Sequence, residues 1–268
     1  MDGQSAIFIT GGGSGIGRAI AQRFAKAGWL VGLGDIDEAG MAETAGLLPA
    51  GAFRHRIDVR DRDAWDAALA AFAQAAGGRI DVLTNNAGVP LGGPLAELNQ
   101  AEIDRTLDVN LRGAIYGAQA AYPWLKASAP GSCLLNTASA AALYGMAGQS
   151  IYGATKAGLR SLTETLDAEW AADGIKVRSL MPSFIDTPLL RHPPNASRNV
   201  PIRQRVAAAG LEFTPVEIVA QAAWDAVHGS NVHYVVGKSA RKLRFAAKWL
   251  PGRLRTRARL LSEAAEEG

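Results

Sequence analysis

Short apolar runs alternate along the chain with longer stretches in which apolar residues recur every three or four positions. Ala6-Ile7-Phe8-Ile9-Thr10 reads as a first strand and Ile16 to Ala27 as a helix. Leu30-Val31-Gly32-Leu33 predicts a second strand that ends at Asp35. Further strands are predicted at 52–59, 80–85, 132–137, 175–180 and 233–236, with helices near 37–47, 61–76, 100–126, 150–173 and 215–228. This alternation predicts right-handed strand–helix–strand crossovers and an α/β fold whose parallel sheet is covered on both faces. No repeat or interdomain linker interrupts it, so residues 1–237 read as one domain followed by a tail, 238–268. One irregular segment, 182–215, carries Pro182, Pro188, Pro193, Pro194 and Pro201, which exclude a single regular helix. Long loops in compact domains are commonly functional. Its apolar residues, Phe184, Leu189, Leu190, Ile202, Val206 and Phe213, favour a lid over an apolar ligand.

Composition narrows the class without naming a chemistry. The 268 residues are 48% hydrophobic and 20% charged, which excludes a disordered or collagen-like chain. A single cysteine, Cys133, excludes an internal disulfide. Residues 1–5 lack a basic leader pattern and no apolar run is long enough to span a bilayer, so a cytoplasmic protein is expected. Charge is uneven. Residues 238–268 hold 9 Lys/Arg and 3 Asp/Glu, a net of +6 against +3 for the whole chain, which leaves 1–237 at −3. A globally basic surface for nucleic acid is therefore not supported.

The first strand runs into Thr10-Gly11-Gly12-Gly13-Ser14-Gly15-Ile16-Gly17, which opens a helix. Phosphate binding at a helix N-terminus needs exposed backbone N–H groups and no Cβ in the way. By analogy with the dinucleotide fingerprint, Gly11 allows the turn, Gly15 a close approach to pyrophosphate, and Gly17 tight helix–strand packing. The spacing is G-x-x-x-G-x-G and not the literal G-x-G-x-x-G. Asp35 ends the second strand, where a carboxylate accepts from a ribose diol and repels a 2′-phosphate. Ser14 and Ile36 bring no cation to reverse that preference, so the reading is NAD over NADP.

Tyr152 and Lys156, at i and i+4 on a predicted helix, share one face. A phenol with a pKa of about 10 is a poor base at neutral pH, and a neighbouring ammonium stabilises its phenolate. Ser139 falls at the end of the preceding strand, where a hydroxyl can donate to a substrate oxygen. His55, His192, His228 and His233 show no metal-ligand spacing with Cys133, so no catalytic metal is expected.

Thr10–Gly17, Asn85-Asn86-Ala87-Gly88, Ser139 and Tyr152-x-x-x-Lys156 together resemble the short-chain dehydrogenase/reductase family, over roughly residues 5–237. The resemblance implies a doubly wound, Rossmann-type parallel sheet of about seven strands. It implies a catalytic tetrad of Asn110, Ser139, Tyr152 and Lys156. Tyr152 is then the general acid/base and Ser139 orients the substrate oxygen. Lys156 also holds the nicotinamide ribose, and Asn110 a water of the proton relay. Cofactor contacts carry over to Gly11, Ser14, Gly15, Ile16, Gly17, Asp35, Asp58, Val59, Asn86, Ala87, Gly88, Tyr152, Lys156, Ile185 and Thr187. One departure stands out: the family often has Pro-Gly after the sixth strand, and this chain has Pro182-Ser183. A side chain there either narrows the nicotinamide end of the pocket or adds a hydrogen bond. The resemblance also implies a homo-oligomer, commonly a tetramer, built on the two long helices.

The expected activity is NAD-dependent interconversion of a secondary alcohol and a ketone. Val89, Pro90, Leu91 and the run 140–144 suggest a lipophilic or aromatic substrate, while Arg191, Arg198 and Arg203 leave room for an acyl thioester. The alternatives are a 3-ketoacyl-type reductase and a non-catalytic NAD(H) sensor. In the tail, Leu243, Ala246, Ala247 and Leu250 form a stripe opposite Arg241, Arg244 and Lys248, and Leu254, Ala258, Leu261 and Ala265 resume it after Pro251-Gly252. This predicts a helix packed on the body or a neighbouring subunit. Trp249 adds the alternative of weak contact with a membrane surface.

Overall fold

The computed structural model describes residues 4–266, apart from the side chains of Arg257 and of 260–266. Thus residues 1–3 of the leader reading lie outside the described residues, as do the side chains of the tail positions Leu261 and Ala265. Seven parallel strands form one sheet in the order β3-β2-β1-β4-β5-β6-β7. They are β1 (Ala6–Thr10), β2 (Leu30–Asp35), β3 (Phe53–Arg56), β4 (Val82–Asn85), β5 (Cys133–Thr137), β6 (Lys176–Pro182) and β7 (His233–Val236). Helices α1 (Gly15–Lys26), α2 (Glu38–Gly46), α3 (Arg62–Ala75), α4 (Gln100–Leu107), α5 (Gly113–Ala127), α6 (Ser150–Glu169), α7 (Ile202–Ala208) and α8 (Val216–His228) fill the crossovers. The chain then runs into α9 (Lys238–Trp249) and α10 (Pro251–Glu266).

Burial follows position in the sheet. The inner strands β1, β4 and β5 are buried at every residue, whereas the edge strand β3 alternates half-buried and exposed positions. One core layer joins Phe8, Trp65, Leu69, Phe72 and Leu134 on one face of the sheet; the other joins Ile7, Ile9, Ile20, Phe24, Leu135 and Val219. Glycine in β2 is a packing requirement, because a Cβ at Gly32 would press into the rings of Phe8 and Phe72. The thiol of Cys133 is buried, and desolvation pushes its pKa up to about 12.

Several predicted boundaries shift. The strand expected at 52–59 pairs only over Phe53–Arg56, and that expected at 80–85 begins at Val82. The helix expected at 100–126 is two helices joined by a widened turn, Asp108–Arg112, in which the Gly113 N–H donates five residues back to the Asp108 carbonyl. The helix expected at 150–173 ends at Glu169 and finishes in a tighter turn at Ala171–Asp173. Segment 182–215 is not wholly irregular, since it contains a tight turn at Pro188–Arg191 and the short α7. In the tail, Ala240 is buried and Leu243, Ala246 and Ala247 half-buried as the stripe predicts. Leu250 is instead exposed, because α9 ends there and α10 turns away at Pro251.

Trp65 anchors α3 to α5. Its ring is fully buried, fills the space a side chain at Gly117 would need, and donates its indole N–H to the Val59 carbonyl at 3.0 Å. Trp65→Ala is expected to lower the unfolding free energy by about 3–5 kcal/mol. The measurement is urea unfolding followed by far-UV circular dichroism.

Candidate active site

Strand order reverses between β1 and β4, and the crevice beyond their C-terminal ends is where a doubly wound sheet offers a ligand site. The glycine loop occupies one side of it. Gly11 and Gly15 have φ of +65° and +52°, which favours glycine. Gly17 lies so close to the loop that a Cβ would collide with the Gly11 carbonyl. Ser14 caps α1 with its hydroxyl making no capping bond, so the first helical N–H groups, including those of Ile16 and Gly17, have no intrahelical partner.

Asp35 turns back onto this loop. One carboxylate oxygen accepts the Gly13 N–H at 2.9 Å and the other the Asp37 N–H at 3.1 Å. Arg18, which the sequence reading did not weigh, brings a cation to the same corner. Its guanidinium is held by the Gly13 carbonyl at 2.6 Å, Thr44 at 2.9 Å and Glu43 at 2.9 Å. Asp58 is gripped by Arg60, whose guanidinium donates to both carboxylate oxygens and holds the carboxyl below its ordinary value. Val59 packs beneath Gly113.

Asn86 laces the strand ends together. Its amide donates to the Thr10 carbonyl at 2.9 Å and accepts from the Thr137 hydroxyl at 3.2 Å. The Thr10 hydroxyl in turn receives the N–H groups of Asn86 and Ala87. Gly88 leads from this strap to the polar cluster: the position of a Cβ there lies 3.3 Å from Asn110 Oδ1 and 3.6 Å from Lys156 Nζ. Both ends of the Asn110 amide are committed to Val89, accepting its N–H at 2.8 Å and donating to its carbonyl at 2.9 Å. The side chain is buried in the widened turn of Asp108–Arg112. A kink in the helix, invisible to periodicity, therefore sets its position.

Tyr152 and Lys156 stand one turn apart on α6, with the ammonium nitrogen 5.8 Å from the phenol ring centre. Lys156 is buried and donates to the Thr137 carbonyl at 2.8 Å, which uses one of its three N–H bonds. Desolvation lowers its pKa from 10.5 to about 8. The expectation that this ammonium depresses the phenol pKa needs correction for the cofactor-free protein. Burial pushes the Tyr152 pKa up, and the Ser139 hydroxyl beside it offsets that only in part. Ser139 itself caps the turn Ala140–Ala142 through the Ala141 N–H.

The segment after β6 reaches back to the glycine loop. Ile185 bridges to Thr214, and Thr187 packs against Gly15. Ser183, which stands where the family often has glycine, shares a hydrogen bond with the Thr214 hydroxyl at 3.2 Å, so of the two expectations the added hydrogen bond is the one seen. The Gly92 N–H donates to the Pro194 carbonyl, Asn195 donates to the Gly92 carbonyl, and the Gly93 N–H donates to Gly148. Two of the lid arginines are spent in ion pairs, Arg198 with Glu97 and Arg203 with Asp186. Among the described residues no His, Cys, Asp or Glu cluster suited to a metal is found.

A glycine turn at the switch point of a parallel sheet, facing a Ser–Tyr–Lys cluster across the crevice, defines a nucleotide-fold oxidoreductase. The chain belongs to the short-chain dehydrogenase family, whose model matches residues 5–197. It is similar to the 3-oxoacyl-(acyl-carrier-protein) reductase of Thermotoga maritima, 35% identical over 71% of this chain and 78% of that protein. It is 32% identical to meso-2,3-butanediol dehydrogenase of Serratia marcescens over 87% of this chain and 94% of that protein. A short-chain dehydrogenase/reductase from Burkholderia phymatum, solved in complex with NAD, superposes with a TM-score of 0.82 at 28% identity, covering 94% of this chain and 95% of the other.

Burial of Lys156 has a thermodynamic signature. The folded state releases this proton near pH 8, whereas the unfolded chain holds it to about 10.5, so between those values the unfolded chain binds more protons. Stability of the parent relative to Lys156→Met is therefore expected to rise with pH through that window, by roughly 3 kcal/mol in total. Urea unfolding of cofactor-free protein at a series of pH values measures it; a difference that stays level rules out a desolvated ammonium.

Proposed function

We propose that the protein is an NAD-dependent oxidoreductase that interconverts a secondary alcohol and a ketone on a lipophilic or aromatic substrate. The observation that carries the reading is the buried Lys156 ammonium beside the Tyr152 phenol, with the Ser139 hydroxyl next to that phenol. The cradle suits a dinucleotide. It has a backbone turn with no room for side chains, a free helix end for the pyrophosphate, and the Asp35 carboxylate at the ribose end. Arg18 does not overturn the preference for NAD, because Glu43 and two backbone carbonyls already claim its guanidinium. Gly11, Gly15, Ile16, Asp58, Val59, Asn86, Ala87, Gly88, Ile185 and Thr187 complete the proposed cofactor contacts.

When bound, the nicotinamide exchanges a hydride with the substrate carbon. Tyr152 moves the proton at the substrate oxygen, and Ser139 donates to that oxygen and steadies its developing charge. The two unused N–H bonds of Lys156 are available to ribose hydroxyls, and its charge favours phenolate formation at the moment the proton leaves. Val89 holds the Asn110 amide through one donor and one acceptor bond, which fixes this residue in the widened turn as the support for a relay water. Likeness to a 3-oxoacyl reductase supports a ketoacyl substrate as the second reading. The pairing of Arg198 and Arg203 within the protein weakens it, since a carrier phosphate would find only Arg191 unpaired among those three.

Tyr152→Phe keeps the ring and removes the proton, and is expected to cut kcat by about 10²–10⁴-fold while NADH still binds. Stopped-flow turnover and NADH fluorescence titration separate these, and near-parent turnover contradicts the mechanism. Asp35→Ser is expected to shrink the kcat/KM ratio of NAD to NADP by about tenfold or more.

A further inference from the structure

The outer face of α9 is built differently from any other helix surface in the described residues. Its inner face carries buried Ala240 and half-buried Leu243 and Ala247, and it packs on the turn Ala140–Ala142 that follows Ser139. Opposite these, Phe245 and Trp249 are 61% and 62% exposed, the only Phe, Tyr or Trp side chains among the described residues that stand mostly in solvent. The helical neighbours of Phe245 at three and four positions are Arg241, Lys242, Lys248 and Trp249, so cations and a second aromatic surround it. Lys242, Arg244 and Lys248 have no carboxylate partner among the described residues. Lys238 reaches Glu212, Arg241 borders the cleft that holds Glu217 and Asp225, and the Lys248 ammonium lies 4.9 Å from the Trp249 ring. From 238 to 262 the sequence contains nine Lys/Arg and no Asp/Glu.

We propose that this face docks on an anionic phospholipid bilayer surface. A protein partner is the poorer fit, because the centres of protein interfaces are depleted of charge, and lysine in particular. Here the aromatic pair is ringed by lysine and arginine, the arrangement of a helix lying at the headgroup boundary. No helix among the described residues is long and apolar enough to cross a membrane, so the contact is a surface one. The placement also bears on the site. The hairpin of α9 and α10 leaves a cleft of about 430 Å³ lined by Tyr144, Gly145, Ala147, Arg255, Ala258 and Arg259. Tyr144 to Ala147 lie on the stretch between Ser139 and Tyr152. Because the inner face of α9 packs on the Ala140–Ala142 turn beside Ser139, docking through the outer face would hold this region of the protein near the lipid surface.

The test is co-sedimentation of the full chain with phosphatidylglycerol-rich vesicles and with pure phosphatidylcholine vesicles, alongside light scattering of the free protein. Binding is expected to the anionic vesicles only. Phe245→Ala/Trp249→Ala is expected to weaken it about tenfold or more, and Lys242→Glu/Lys248→Glu to abolish the preference for anionic lipid. Unchanged circular dichroism and unchanged mass should accompany both losses. Equal sedimentation with the two vesicle types, or variants that bind like the parent, overturns the proposal. So does a fall in oligomer mass caused by the aromatic variant, which assigns the face to a second copy of the chain. None of these readings depends on which alcohol the enzyme turns over.

Discussion

The backbone of α1 lies directly on the Gly11 carbonyl, and the C-terminal edge of the sheet is arranged around that contact. With a side chain at Gly17 the helix would stand off from β1, and the Asn86 amide that bridges Thr10 and Gly11 would lose its place. Through Asn86 the contact is coupled to Thr137, and through the Thr137 carbonyl to the ammonium of Lys156. A packing constraint at the nucleotide end of the crevice thus reaches the reactive end by three hydrogen bonds.

Electrostatics there are set by burial more than by pairing. Desolvation displaces the Lys156 pKa downward, to about 8, and the Tyr152 pKa upward, so at neutral pH the phenol is neutral while the lysine remains largely an ammonium. This is the reverse of what the i, i+4 spacing alone suggests. Periodicity reveals that the two side chains are neighbours; it carries no information about how little water surrounds them. The ordering cost is met by the fold, since α6 is long and anchored on β5 and β6.

The strands and the glycine loop were legible because their signals are local. Apolar runs such as Ala6–Thr10 and Cys133–Thr137 are buried at every position, and the loop at Gly11–Gly17 follows immediately in the chain. The widened turn at Asp108–Arg112 left no such trace, because its cause is tertiary: the Asn110 amide is captured by the Val89 backbone from another loop. Arg18 escaped notice for the same reason, as its partners Glu43 and Thr44 sit on α2. The orientation of Ser183 depends on Thr214, thirty-one residues later. The tail stripe identified the inner face of α9 and set Arg241, Arg244, Lys248 and Trp249 apart from it, but Phe245, which stands exposed beside them, carried no periodic signal of its own.

The bonds from Pro194 and Asn195 to Gly92, and from Gly93 to Gly148, join three loops that belong to different crossovers. The Gly92–Gly93 segment is the shared knot, bonded on one side to Pro194 and Asn195 and on the other to Gly148 in the loop before α6. A displacement of any one of the three is therefore shared with the other two, which ties the backbone near the catalytic helix to segments more than forty residues away in both directions.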